Sequence, residues 1–229
     1  MATAATLLNA LFPTLCVGCG TVLAAGERHL CISCLASLPR TGFSDYADNP
    51  AERMLAGRVP YEQATAMLAY RDGGLSRRLV HAMKFHGNSD LCLMMGRQLG
   101  LDLMRRGRFD GVEVLVPVPL HWTRRLLRGY NQSELICRGM AEVMHRPVST
   151  GNLIRHRYTR KQSRQQSSER SANVEGAFRV KHPKEFENRH LLLVDDVLTT
   201  GATLTACADA LASIPDLRVS VATLTMAGV

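Results

Sequence analysis

An α/β fold, with a mostly parallel sheet covered by helices on both faces and a small cysteine-stapled segment in front of it, is the class this sequence predicts. Three observations carry the prediction. Strand-like and helix-like runs alternate over most of the 229 residues, as βαβ units require. The apolar run Leu191–Val194 reads as a strand buried on both faces, and it ends on two adjacent carboxylates and a Thr/Gly turn. Two C-x-x-C pairs near the N-terminus mark a segment stapled by its cysteines rather than by a core of its own.

Met1 to Leu15 is apolar, carries no Lys or Arg ahead of its hydrophobic part and is too short to span a bilayer. It reads as a short amphipathic helix, and the protein as cytoplasmic without membrane insertion. Pro39 to Arg58 holds Pro39, Gly42, Asn49-Pro50 and Gly57 without sustained periodicity and reads as a connecting segment. The expected division is therefore 1–57 for the N-terminal helix, cysteine segment and linker, and 58–229 for the main domain. Within the latter, Ala64 to Tyr70 reads as a strand, Leu75 to Phe85 and Leu91 to Met104 as helices, and Val112 to Val116 as a buried strand. Gly129 to His145 has apolar residues at helical spacing, Leu204 to Ile214 is a further helical pattern, and Leu217 to Thr225 closes the chain as a strand. Apolar content of 46% is ordinary for a globular chain.

Of the seven cysteines, Cys16, Cys19, Cys31 and Cys34 form two knuckles whose spacing can present four thiolates tetrahedrally to one zinc ion. Metal binding would then supply much of that segment's folding free energy. A thioredoxin-like redox pair lacks its surrounding βαβ pattern, and a disulfide framework lacks a secretion signal. Cys92, Cys137 and Cys207 lie in apolar helical patterns and read as core packing.

The acid-acid-turn run has its own chemistry. Asp195 and Asp196 stand at the carboxyl end of a buried strand, where parallel sheets bind ligands. The loop that follows, Val197-Leu198-Thr199-Thr200-Gly201-Ala202-Thr203, leads into a helix. Amides at a helix start, threonine hydroxyls and the positive end of the helix dipole can hold a monoester phosphate, with Gly201 allowing close approach. The acids can accept hydrogen bonds from sugar hydroxyls or help hold a divalent cation. Together these groups describe a ribose 5-phosphate site. A Walker A loop needs Lys-Ser/Thr after its glycines, and the dinucleotide fingerprint needs G-x-G-x-x-G; neither is present here. A plain capping threonine explains neither Asp-Asp nor the doubled Thr.

Basic charge is concentrated in one region. The chain's net charge is +8, and Arg124 to Arg170 alone holds eleven Lys/Arg against three Glu. That strip can serve a pyrophosphate pocket, nucleic-acid phosphates or an ordinary solvated face. Arg155 to Arg170 is polar, lacks apolar periodicity and predicts a long mobile loop, a common design for a lid. Tyr130 and Tyr158 could stack on bases, while Trp122 reads as a packing anchor rather than a stacking platform. Lys84, at a helix end, either serves the site or offsets the helix dipole. Arg124 and Arg128, four apart, can form a clamp on one helical face. Pro117 and Pro119 can rigidify a strand-end turn that aims the amides of Leu120 and His121 at a phosphate.

The run from Leu191 to Thr203 resembles the phosphoribosyl pyrophosphate (PRPP) signature of type I phosphoribosyltransferases. The block Val114 to Gln132 resembles the pyrophosphate loop and following helix of the ComF family, the competence-associated branch of that fold. Met83-Lys84-Phe85-His86-Gly87, Gln162 to Phe178 and the four-cysteine ribbon are similar to further blocks of the family, in the family's order. The resemblance implies a type I phosphoribosyltransferase-like parallel sheet with an N-terminal zinc ribbon, and PRPP with magnesium as ligand. It implies catalytic carboxylates Asp195 and Asp196 facing the ribose, and Val197 to Thr203 around the 5-phosphate. Pyrophosphate and lid contacts would come from Lys84, Leu120, His121, Arg124, Arg128, Arg160, Lys161 and Gln162. Arg160-Lys161 stand where relatives often carry Pro or Ser before the loop glutamine, so the lid departs from the family's pattern. The expected reaction is substitution at the anomeric carbon of PRPP, with pyrophosphate leaving and an acceptor the sequence does not name. The alternatives are a single-stranded-DNA-binding competence factor without turnover, working with the DNA-uptake machinery, and a PRPP-responsive regulator.

Overall fold

The computed structural model describes residues 13–85, 87–156 and 176–229. Four strands form a wholly parallel sheet: β1 (Ala64–Tyr70), β2 (Val114–Pro117), β5 (His190–Leu198) and β6 (Arg218–Ala227), in the order β1-β6-β5-β2. The apolar run expected to be buried on both faces is so: Leu191, Leu192, Leu193 and Val194 are all fully buried at the centre of the sheet. Alternate residues feed two cores. Leu191 and Leu193 pack with helix α7 (Ala202–Leu211) and the short helix α2 (Pro50–Leu55). Leu192 and Val194 pack on the other face with α3 (Leu75–Phe85), α4 (Ser89–Met104) and α6 (Gln132–Met144). This alternation is the side-chain period of two that a sheet covered on both faces requires.

Helices α4 and α6 approach at backbone distance. A Cβ added to Gly96 would lie 2.2 Å from the Ile136 carbonyl, and one on Gly139 would lie 2.1 Å from that of Leu93. The smallest residue on each helix therefore sets the spacing. Cys92 and Cys137 pack in that core and Cys207 in the other, all fully buried, as their apolar surroundings predicted.

Three regions depart from the sequence expectation. Gly129 does not begin a long helix; with φ of 79° it ends a separate one, α5 (Trp122–Arg128), by donating its N–H to the Arg125 carbonyl. Asn131 then caps α6 with its side chain. A small antiparallel pair, β3 (Leu153–Arg155) with β4 (Phe178–Val180), stands apart from the main sheet. The segment from Pro39 to Arg58 is packed rather than featureless. Thr41 donates to the Met67 carbonyl beside β1, Phe43 is buried, and α2 inserts Ala51 and Leu55 into the core. Of the expected N-terminal helix, residues 13–15 are extended and Leu15 pairs with Val22, while 1–12 lie outside the described residues.

In the cysteine segment, Cys16 is buried with Leu30 and Leu38 in the core that also holds Leu79 and Leu99. A short helix, α1 (Ile32–Ala36), carries the fourth cysteine. Among the described residues, no helix is long and apolar enough to cross a membrane.

Candidate functional site

The carboxyl ends of β5 and β2 open into a cavity of about 340 Å³. It is lined by Asp195 and Asp196, by Thr199 and Thr203, and by the cationic Lys84, Arg124, Arg128 and Arg155. The fold thus gathers anion-binding and acidic groups from four separate stretches of chain. An adjoining small hollow of about 30 Å³ is wrapped by Thr199 to Thr203, with Asp195, Val197, Leu198 and Leu204 completing it.

Asp195 is held from two directions. Its Oδ1 accepts the backbone N–H of Asp196 at 2.8 Å and the hydroxyl of Ser133 at 3.0 Å. Burial, and next the adjoining Asp196 carboxylate, push the Asp195 carboxyl up to about 7. Asp196 is paired with Lys84 at 2.7 Å, so Lys84 serves the site rather than only its helix end. The carbonyl just before it, that of Met83, accepts from Tyr130 Oη at 2.7 Å and from Gln132 Nε2 at 3.2 Å. Arg128 in turn donates to Gln132 Oε1 at 2.9 Å and lies over the Phe85 ring at 5.7 Å. The Gly-Tyr-Asn-Gln stretch therefore ties the end of α3 to the arginine helix.

On α5, Arg124 and Arg128 both face the cavity, as their spacing predicted. Leu120 lines it too, whereas His121 is buried as the N-cap of α5 and accepts from the Thr123 N–H at 3.3 Å. Burial, then the cationic Arg155 and Arg124, hold His121 below its ordinary value. The expectation for Trp122 is corrected: it is 67% exposed, beside Leu126 at 78% and Leu127 at 86%. Its ring lies against that of His121, with centroids 5.6 Å apart, and among the described residues is otherwise largely open on the outer face of this seven-residue helix.

At the cup, Gly201 has φ of 78° and starts α7 without a side-chain cap. The Ala202 amide donates to Thr200 Oγ1 at 3.5 Å, which leaves the Thr203 and Leu204 amides of this ten-residue helix to a ligand or solvent. Arg160, Lys161 and Gln162 lie outside the described residues. Sequence reasoning missed Ser133, Arg155 and Tyr70 as lining residues. Arg155 was expected to open a mobile lid loop; it instead ends β3, where its guanidinium stacks over Phe178 at 5.3 Å.

The four cysteine sulfurs of the knuckles lie within 4.8 Å of one another. A tetrahedron of sulfurs 2.3 Å from a zinc ion has edges of roughly 3.8 Å, and Cys19 Sγ and Cys31 Sγ are 3.7 Å apart. Cys16 Sγ accepts the amides of Gly18 and Cys31, each at 3.3 Å, which suits a charged thiolate. Burial and the three neighbouring sulfurs push the Cys34 thiol up to about 12, while the Thr21 hydroxyl and amide draw Cys19 down to about 6. Such a cluster gathers four thiolates only around a cation, and its residues fit a metal ion. A Cβ at Gly18 would lie 2.7 Å from Cys34 Sγ, so the knuckle closes only on glycine.

A parallel sheet with paired acids and an amide-lined cup at the end of its central strand belongs to the phosphoribosyltransferase class. The family model described as "Phosphoribosyl transferase domain" matches residues 135–227. Among curated proteins, the chain is 30% identical to the "DNA utilization protein YhgH" of Escherichia coli (strain K12), over 210 residues covering 87% of this chain and 91% of the relative. It is 32% identical to "Competence protein F" of Haemophilus influenzae over 130 residues, 55% of this chain and 57% of that protein. It is 36% identical to "Competence protein ComFC" of Bacillus subtilis over 91 residues, 40% of this chain and 35% of that one. The chain belongs to the ComF family of phosphoribosyltransferase-domain proteins.

Proposed function

We propose that this protein binds PRPP with magnesium and transfers its phosphoribosyl group to an acceptor, in the cytoplasm, as part of the handling of incoming DNA. The observation that carries the reading is the convergence of Asp195, Asp196, Thr199, Thr203, Arg124 and Arg128 on one cavity. The cup takes the 5-phosphate, the paired acids take the ribose hydroxyls, and the arginines take the pyrophosphate. Magnesium, when bound with PRPP, neutralises charge on the leaving pyrophosphate.

Positive charge builds on the ribose ring as the bond to pyrophosphate breaks, and negative charge builds on the departing oxygens. Carboxylates under the sugar and guanidinium groups around the leaving group are complementary to both changes. Lys84 orients Asp196 through their ion pair, and the Ser133 hydroxyl orients Asp195 by donating to it. On this reading Arg160, Lys161 and Gln162 contribute to excluding water, the competing nucleophile. The cysteine cluster holds one structural zinc. The DNA link is supported by the names of the relatives from Escherichia coli and Haemophilus influenzae.

Pyrophosphate release from PRPP and magnesium, assayed with a panel of amines and nitrogen bases, tests turnover. Acceptor-dependent release that disappears in Asp196→Asn is the expected result; no release with any acceptor removes catalysis and leaves a binding protein.

A second reading, single-stranded DNA binding, is favoured by α5, whose exposed Trp122 adjoins the exposed Arg125. Aromatic rings beside guanidinium groups stack on bases and contact phosphates without reading sequence.

A further inference from the structure

The segment before the main sheet reaches the far side of the phosphate loop. Arg58 Nη1 donates to the Thr200 carbonyl at 2.8 Å across 142 residues of sequence. Leu55, fully buried three residues earlier, lies under the loop's glycine, where a Cβ on Gly201 would meet Leu55 Cδ2 at 2.9 Å. Both contacts come from the end of α2, and α2 is itself fixed. Asn49 caps it and donates to the Ala64 carbonyl at 2.9 Å, while Glu52 accepts from the Ala64 N–H and pairs with Arg108 at 2.7 Å. The platform is therefore anchored to the first residue of β1 and is not a loose linker.

The direction of the Arg58 contact matters. In a trans peptide the C=O and the following N–H point opposite ways. Holding the Thr200 carbonyl outward, toward Arg58, turns the Gly201 N–H the other way, and Arg58 is not among the residues that wrap the hollow of Thr199 to Thr203. We infer that Arg58, seated on the Leu55 platform, is a positioning residue that sets the phosphate loop of this protein for a sugar 5-phosphate. The inference rests on the phosphoribosyl reading and deepens it, since it separates the 5-phosphate end of the ligand from its pyrophosphate end.

The test uses the full-length, metal-loaded protein, with wild type, Arg58→Ala and Arg58→Lys titrated against ribose 5-phosphate and, separately, against magnesium pyrophosphate. Arg58→Ala is expected to weaken ribose 5-phosphate by about three- to tenfold, the usual net contribution of one hydrogen bond at an exposed site. Pyrophosphate affinity should be unchanged, and Arg58→Lys, which can still donate to one carbonyl, should recover most of the loss. Equal weakening of both ligands, or no weakening of ribose 5-phosphate, overturns the inference. Hydrogen exchange of the ligand-free protein supplies an arm that needs no ligand: amides of Thr200 to Leu204 should exchange faster in Arg58→Ala while those of α4 and α6 are unchanged. If wild type binds neither ligand, the phosphoribosyl reading fails, and unchanged exchange at the loop then refutes the anchoring as well.

Discussion

Replacing Asp195 by Asn removes a charge that folding has made costly, and the structure indicates by how much and at which pH. The carboxyl is raised from an ordinary value of 3.8 to about 7 by burial and by Asp196. Below pH 4 it is protonated in both folded and unfolded chains and contributes no difference. Between pH 4 and 7 the folded state alone retains the proton, so stability from this group falls as pH rises and is fully lost above about 7. The gap corresponds to about 4 kcal/mol at most, and to about 2 after allowance for the part of the site open to water. Asn preserves the local bonds, because an amide oxygen can still accept from the Asp196 N–H and the Ser133 hydroxyl. Asp195→Asn should therefore raise the melting temperature of ligand-free protein by roughly 4–8 °C at pH 8 and leave it unchanged at pH 4. Differential scanning fluorimetry across that range decides the matter. A variant equally or less stable at pH 8 would refute the reasoning, since it would mean that the buried acid is compensated in a way the geometry does not contain.

Gly139→Ala should cost about 2 kcal/mol or more in chemical denaturation, because the added methyl meets the Leu93 carbonyl at 2.1 Å and outweighs alanine's better helix propensity. Metal analysis should return about one zinc per chain, and Cys16→Ser, which removes a buried sulfur accepting two amides, should lose both the metal and the ordered cover over Leu30 and Leu38. On the DNA reading, Trp122→Ala with Arg125→Ala should weaken single-stranded DNA binding and flatten its salt dependence at about 50–200 mM salt; binding that does not respond to salt would remove that reading.

Much of the site was legible because its parts are local in sequence. The buried strand, the two acids and the cup follow one another from Leu191 to Thr203, so each could be assigned from residue type and spacing. The cysteine knuckles and the Arg124/Arg128 face are equally local. What stayed hidden depends on contacts between distant residues. Ser133 reaches Asp195 from 62 residues away, and Arg58 reaches Thr200 from 142. Strands β3 and β4 have only three residues each, too few for alternation to register. Trp122 was misjudged for a different reason: ring size argues for burial, but among the described residues the outer face of α5 is left largely exposed. Gly129 was read as the start of the second helix, whereas its left-handed backbone closes the first and Asn131 caps the next.

The central claim is that the paired acids and the cup form a PRPP site, and calorimetric titration of PRPP with magnesium into wild type and into the Asp195→Asn/Asp196→Asn double variant tests it most directly. The account predicts saturable binding to the wild type at one site per chain and at least tenfold weaker binding to a double variant that remains folded. Equal PRPP affinity in the two proteins would contradict it.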